Sequence, residues 1–205
     1  MEALTKAHVD WGVAALALAG RPPNGDLHVV RAFRGGMLLA AVDGLGHGSE
    51  AAAASRAAGE VLKGYAGEPV IALLRRCHAA LRTTRGVAMS VASLDYARGL
   101  VTWLGVGSVQ GALLRPTPAG EARPEESLMV HGGLVGAQLP PLRASVVPVA
   151  GGDTLVLATD GVASDFERGL ALGRAPQAAA NAILARHGKG TDDALVLVAR
   201  LRGRP

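Results

Sequence analysis

Met37-Leu-Leu-Ala-Ala-Val42, followed by Asp43-Gly44-Leu45-Gly46-His47-Gly48, is the stretch on which the reading of this chain turns. Six apolar residues in a row make a short buried strand. Behind them a glycine-studded segment leads through Ser49-Glu50 into an alanine-rich run of helical composition. A carboxylate at the end of a buried strand is costly to desolvate unless something compensates. The pattern recurs: Thr154-Leu-Val-Leu-Ala-Thr159 runs into Asp160-Gly161, and Gly190-Thr191-Asp192-Asp193 leads into Ala194-Leu-Val-Leu-Val198. Hard divalent cations are effective compensators, because they prefer oxygen ligands and accept several carboxylates in one place. The glycine after each of the first two aspartates is expected to turn the backbone sharply, so that a carbonyl also faces the cation. A single Asp-Gly pair is an ordinary turn. Three acidic strand ends, two in nearly the same context, point to a cation site.

Working outward, short apolar runs dominate. Val13 to Ala19, His28 to Phe33, Ala88 to Asp95, Leu100 to Gly105 and Val109 to Arg115 read as strands, bounded by Gly, Pro or Asn. So do Ser127 to His131, Ala144 to Val149, Thr154 to Thr159 and Ala194 to Leu201. Their close spacing suits antiparallel hairpins, with turns at Asp95 to Gly99 and Ala150 to Asp153. Three stretches read as helices. Ser49 to Lys63 opens on a Ser-Glu cap, while Pro69 to Thr83 and Pro176 to His187 each begin with proline, the last stopping at Gly188. Thr117 to Glu126 is rich in proline and charge and reads as a surface loop. The expected fold is one α+β domain over residues 1–205, mostly antiparallel strands with helices packed outside.

Composition narrows the function. Of the 205 residues 49% are hydrophobic and 19% charged, which is a packed globular chain and not a disordered one. No apolar run reaches the roughly 18 residues of a membrane-spanning helix, so no membrane association is expected and cytoplasmic residence is the default. The lone Cys77 cannot form an intramolecular disulfide and lies in a helical pattern, where a buried structural thiol is expected. After five intervening residues it is followed by Thr83, so a Cys-x5-Arg phosphate loop is absent. The net charge of +4 is dispersed over Arg31, Arg56, Arg98, Arg143 and Arg186, and only two each of Phe, Tyr and Trp are present. The platforms for stacking nucleic-acid bases are therefore lacking, and the basic balance suits a phosphorylated protein partner instead. Nucleotide binding is also disfavoured: the glycines are spaced G-x-G-x-G rather than G-x-G-x-x-G, and Asp43 would repel a pyrophosphate. Ile183 stands where a P-loop ending at Gly188-Lys-Gly-Thr191 would need its first glycine.

Taken in order, Asp43-Gly-Leu-Gly-His-Gly48, Thr159-Asp-Gly161 and Thr191-Asp-Asp193 resemble the metal-binding signatures of the metal-dependent protein phosphatase (PPM) family, and within it the bacterial SpoIIE/RsbX-like branch. Asn24-Gly-Asp26, Thr84-Arg-Gly86, Leu104-Gly-Val-Gly107 and Gly132-Gly-Leu-Val-Gly136 match further segments, so the resemblance runs from about residue 12 to 201. It implies a sandwich of two antiparallel β-sheets flanked by helices. It also implies hydrolysis of phosphoserine or phosphothreonine by a water that two Mn2+ or Mg2+ ions activate. Asp43 would bridge the ions, with the Gly44 carbonyl on one and Asp160 and Asp192 on the other, while Asp26 orients water on the metal. Asp193 is the alternative to Asp192; neighbouring strand side chains face opposite ways, so both are not expected on one ion. Eukaryotic family members carry a proposed general-acid His directly after the Asp-Gly, where this chain has Leu45; His47 stands two residues further on. Arg21, five residues before Asp26, has the offset of the family's phosphate-binding arginine. The implied substrates are phosphorylated stressosome scaffold or anti-anti-sigma-type proteins. The alternative is a catalytically silent module that binds a phosphoprotein.

Overall fold

The computed structural model describes residues 8–18, 23–116, 122–168, 170 and 173–202. Eleven strands among these residues form two sheets. One runs in the order β1 (Val9–Leu16), β11 (Ala194–Leu201), β10 (Thr154–Ala158), β6 (Gln110–Pro116), β7 (Ala122–Ser127). The other runs β2 (Asp26–Phe33), β3 (Gly36–Gly44), β4 (Val87–Asp95), β5 (Leu100–Val106), β8 (Val130–His131), with β9 (Ser145–Pro148) also on β5. Every pairing is antiparallel except the two-residue contact of β5 with β8. Helices α1 (Ser49–Gly64) and α2 (Val70–Ala80) cover one sheet, and α3 (Pro176–His187) covers the other. The expected two-sheet α+β sandwich is the fold observed.

The continuous apolar run of β3 follows from burial on both faces. Successive strand side chains alternate in direction. Leu38, Ala40 and Val42 pack with Ala54, Ala58, Leu62 and Leu74 under the helices, while Met37, Leu39 and Ala41 pack with Leu155, Leu157, Leu195 and Leu197 between the sheets. Strands β10 and β11 repeat this on the other side, where Val156, Ala158, Val196 and Val198 meet Ala179, Ala180 and Ile183 of α3. Asp43 has the parity of Met37, Leu39 and Ala41, so it continues the between-sheet face to the strand's end.

Four local expectations need correction. Residues 122–127 form β7 instead of a loop: proline is tolerated on an edge strand, β7 is the outermost strand of its sheet, and its pairing with β6 shifts register between Leu113 and Leu114. The Ala150–Asp153 segment is a turn, with Asp153 Oδ2 accepting from the Ala150 N–H at 2.9 Å, but it joins no hairpin, since β9 and β10 lie in different sheets. Helix α1 takes Gly48 as its cap, at φ 80°, with no side-chain capping bond, and Ser49 is its first residue. Pro69 caps α2 from outside, and α2 ends at Ala80 because Leu81 leaves the helical path.

Candidate active site

Antiparallel register places Asp26 directly opposite Asp43 on β2 and β3, a separation at which facing side chains interact. Ser108, just beyond β5, donates from Oγ to Asp43 Oδ2 at 3.3 Å. Thr159, at the end of β10, donates from Oγ1 to Asp26 Oδ2 at 2.7 Å and accepts from the Leu195 N–H at 2.8 Å. These bonds tie the end of one sheet to the end of the other. Burial, then the charge of Asp43, pushes the Asp26 carboxyl up to about 8. Burial, then the charge of Asp160, pushes Asp43 up to about 7. Two carboxyl groups held this way favour a proton or a cation over standing charged and uncompensated.

A pocket of about 330 Å³ opens over them, lined by Asp43, Asp160 and Asp192 with Leu45, Gly46, Ser108 and Leu134 among its other walls. Asp160 and Asp192 are exposed and Asp43 is half-buried. Lys189 donates from Nζ to the Asp160 carbonyl at 2.7 Å, and its N–H reaches the Gly161 carbonyl at 2.8 Å, which fixes the Asp160 turn. The donors offered are carboxylate oxygens, which Mg2+ and Mn2+ prefer; Gly44 is buried and is not among the pocket's lining residues. Among the described residues, no three His, Cys, Asp or Glu side chains converge into a ready-made metal cage. The acids face a common space rather than a common point.

The glycines of the two Asp-Gly pairs act otherwise than expected. Neither Gly44 nor Gly161 has a positive φ, so neither is needed for a left-handed turn. A Cβ on Gly44 would lie 2.2 Å from the Ala51 carbonyl oxygen, and one on Gly161 would lie 2.0 Å from that of Asp193. Both neighbours are backbone atoms, so glycine is required for close approach. It lets α1 press against the end of β3 and the Asp192-Asp193 turn press against Asp160-Gly161.

The adjacent acids 192 and 193 are separated by structure. Asp193 is buried, and its carboxylate accepts from the Leu18 N–H at 2.7 Å and the Gly25 N–H at 2.6 Å. Asp192 lines the pocket, and its Oδ1 accepts from the Asp193 N–H at 2.8 Å. His47 is exposed on the loop before α1 and is not among the pocket's lining residues. Arg21 lies outside the described residues. Cys77 is fully buried on the inner face of α2, where burial pushes its thiol up to about 12. Ser108 carries only a faint sequence signal, a polar residue directly after the Leu104-Gly-Val-Gly107 strand end.

Two antiparallel sheets with helices outside, and aspartates from both sheets around one pocket, define the fold of the metal-dependent protein phosphatases. The chain belongs to the SpoIIE family, whose model, described as Stage II sporulation protein E, matches residues 34–202. It is 30% identical over 115 residues to the phosphoserine phosphatase RsbX of Bacillus subtilis (strain 168), a stretch that covers 56% of this chain and 57% of that protein. The chain thus spans somewhat over half the length of this relative. A solved structure described as "The bacterial stressosome: a modular system that has been adapted to control secondary messenger signaling" superposes with a TM-score of 0.83 at 25% identity, covering 94% of this chain and 99% of the other. RsbX in complex with magnesium superposes with a TM-score of 0.82 at 24% identity, covering 95% and 96% of the two chains.

Proposed function

We propose that this chain is a metal-dependent phosphoprotein phosphatase that hydrolyses phosphoserine or phosphothreonine. The observation that carries the reading is the single pocket onto which Asp43, Asp160 and Asp192 face from three separate strand ends. Mn2+ or Mg2+ would be held by Asp43, the Gly44 carbonyl, Asp160 and Asp192, and two ions suit acids spread around a space. When bound, such ions lower the pKa of water and neutralise charge on a transferring phosphoryl group. The chain's own residues do the rest. Ser108 fixes the rotamer of Asp43 through its hydroxyl, and Thr159 holds Asp26 behind it, where Asp26 would orient water on a bound ion. Asp193 anchors Leu18 and Gly25, which leaves Asp192 to face the pocket. His47 and Arg21 are carried as general acid and phosphate ligand on the resemblance alone.

The substrates proposed are phosphorylated stressosome scaffold or anti-anti-sigma-type proteins, acted on in the cytoplasm; the names of the similar RsbX and stressosome structures support this. No helix among the described residues is long and apolar enough to cross a membrane. The test is hydrolysis of para-nitrophenyl phosphate, and of a phosphorylated stressosome scaffold protein, with and without manganese. Turnover that appears with the metal and vanishes with a chelator is expected. Tight phosphoprotein binding with no turnover at any metal concentration would replace the reading with that of a silent binding module.

A further inference from the structure

Arg85 sits in the turn that leads into β4 and ion-pairs with Glu50, in the first turn of α1, through its Nη2. Its Nη1 occupies the space beside Gly46: a Cβ built there would stand 2.9 Å away. Gly46 is a wall of the acidic pocket and, at φ 87°, has a backbone that favours glycine. The next residue, Gly86, accepts a hydrogen bond from the Leu45 N–H at 3.1 Å, so the turn carrying Arg85 is bonded to the Asp-Gly loop itself. Gly86 is also restricted, at φ 83° with the Val135 carbonyl oxygen 2.8 Å from where its Cβ would be. The guanidinium is therefore carried by a fixed backbone and held beside Gly46, just outside the residues that line the pocket. Its side chain is 51% exposed and that of Glu50 is 65% exposed, so the pair meets water and is cheap to exchange for another anion.

We propose that Arg85 is a substrate-binding residue, the cation at the pocket mouth that takes hold of the phosphate monoester dianion, with Glu50 as the partner that parks it when no phosphate is present. This rests on the phosphatase reading of the pocket and goes beyond it, because neither the sequence signatures nor the acid cluster assigns a role to this side chain. The chemistry favours arginine. A guanidinium offers parallel N–H donors that match two phosphate oxygens, and it stays charged at any working pH. A fixed positive group at the pocket's edge attracts an incoming dianion before it reaches the acids and the ions they would hold.

The experiment compares the full chain with its Arg85→Met, Arg85→Lys and Glu50→Gln variants in saturating manganese. It measures kcat and KM on a phosphopeptide and, independently of turnover, inorganic phosphate binding by calorimetry. Thermal melts establish that each variant is folded. Arg85→Met is expected to weaken phosphate binding and raise KM by about tenfold, with the manganese requirement unchanged, and Arg85→Lys to recover part of the loss. Glu50→Gln breaks the ion pair but leaves the guanidinium, and is expected to keep or tighten phosphate binding. Three results would overturn the proposal. One is unaltered phosphate binding in Arg85→Met. Another is a loss in Glu50→Gln equal to that in Arg85→Met, which would make the ion pair a mere tie between loops. The third is a changed manganese requirement with phosphate binding intact. Phosphate binding that depends on Arg85 in a protein without turnover would instead spare this proposal and sink the enzymatic one.

Discussion

The two Asp-Gly turns carry nearly the same sequence and live in different surroundings. Asp43-Gly44 closes β3, half-buried, with Ser108 on its carboxylate and Asp26 opposite on the neighbouring strand. Asp160-Gly161 follows β10 with its carboxylate exposed and its carbonyl held by Lys189. Asp43 thus lies deeper in the pocket and Asp160 at its rim. Both glycines serve the same end by different contacts, Gly44 against α1 and Gly161 against the Asp192-Asp193 turn. The comparison teaches that a strand-Asp-Gly pattern places a carboxylate at a sheet edge, while its neighbours set its depth.

The largest expected effect falls on the buried member. Asp43→Asn should abolish nearly all metal-dependent turnover with the fold kept, a loss beyond the roughly 10- to 100-fold that removing an outer partner of a metal ligand costs. Steady-state rates over a manganese titration check this. Asp160→Asn should be rescued in part by excess metal where Asp43→Asn is not, and equal rescue of both would break the contrast between depth and rim.

Next come the glycines. Gly44→Ala and Gly161→Ala would each drive a methyl group into backbone oxygen at 2.2 and 2.0 Å. Each should destabilise the fold by about 1–3 kcal/mol, the usual cost of overpacking, or more where backbone cannot yield. Urea midpoints at constant m-value measure it. Melting curves matching the parent's would mean that close approach is not why glycine stands there.

A sharper contrast divides Asp192 from Asp193. Asp192→Asn should raise the manganese concentration for half-maximal activity and leave stability nearly unchanged. Asp193→Asn should do the reverse, costing about 1–3 kcal/mol as the N–H groups of Leu18 and Gly25 lose a charged acceptor. The opposite order would move the metal ligand to Asp193.

The smallest effect lies away from both turns and shows whether the others are local. The Cys77 thiol, pushed up to about 12 by burial, should resist iodoacetamide at pH 8.5 in the native protein and react promptly in denaturant. Because the folded value exceeds the ordinary 9.0, its contribution to stability is complete below about pH 9 and is lost as the pH climbs toward 12. Fast native alkylation, or a fall in activity in Cys77→Ser with normal folding, would bring this thiol back into consideration as a nucleophile.

Much of this was legible along the chain because strand periodicity is local. The doubly apolar run of Met37 to Val42 announces burial on both faces, and the proline at position 176 does start a helix. Edge strand β7 was hidden because its charged and proline-containing sequence pairs on one side only. The turn at Ala150 to Asp153 has the sequence of a hairpin turn, but a turn sequence does not say which sheet receives the next strand. Arg85 and Glu50 lie 35 positions apart in a chain with 21 Lys and Arg, and nothing local marks them as a pair.

By itself the sequence determined most element types, the α+β class and the three acidic strand ends, since these depend on patterns within a few residues. Tertiary structure alone decided that Asp26 faces Asp43, that Asp193 turns inward to hold Leu18 and Gly25, and that Gly44 and Gly161 are places of contact and not of turning. The reason is physical: strand register and the seam between two sheets are fixed by packing summed over the whole core, and a side chain's depth, partners and charge state follow from that packing rather than from its own neighbours in sequence.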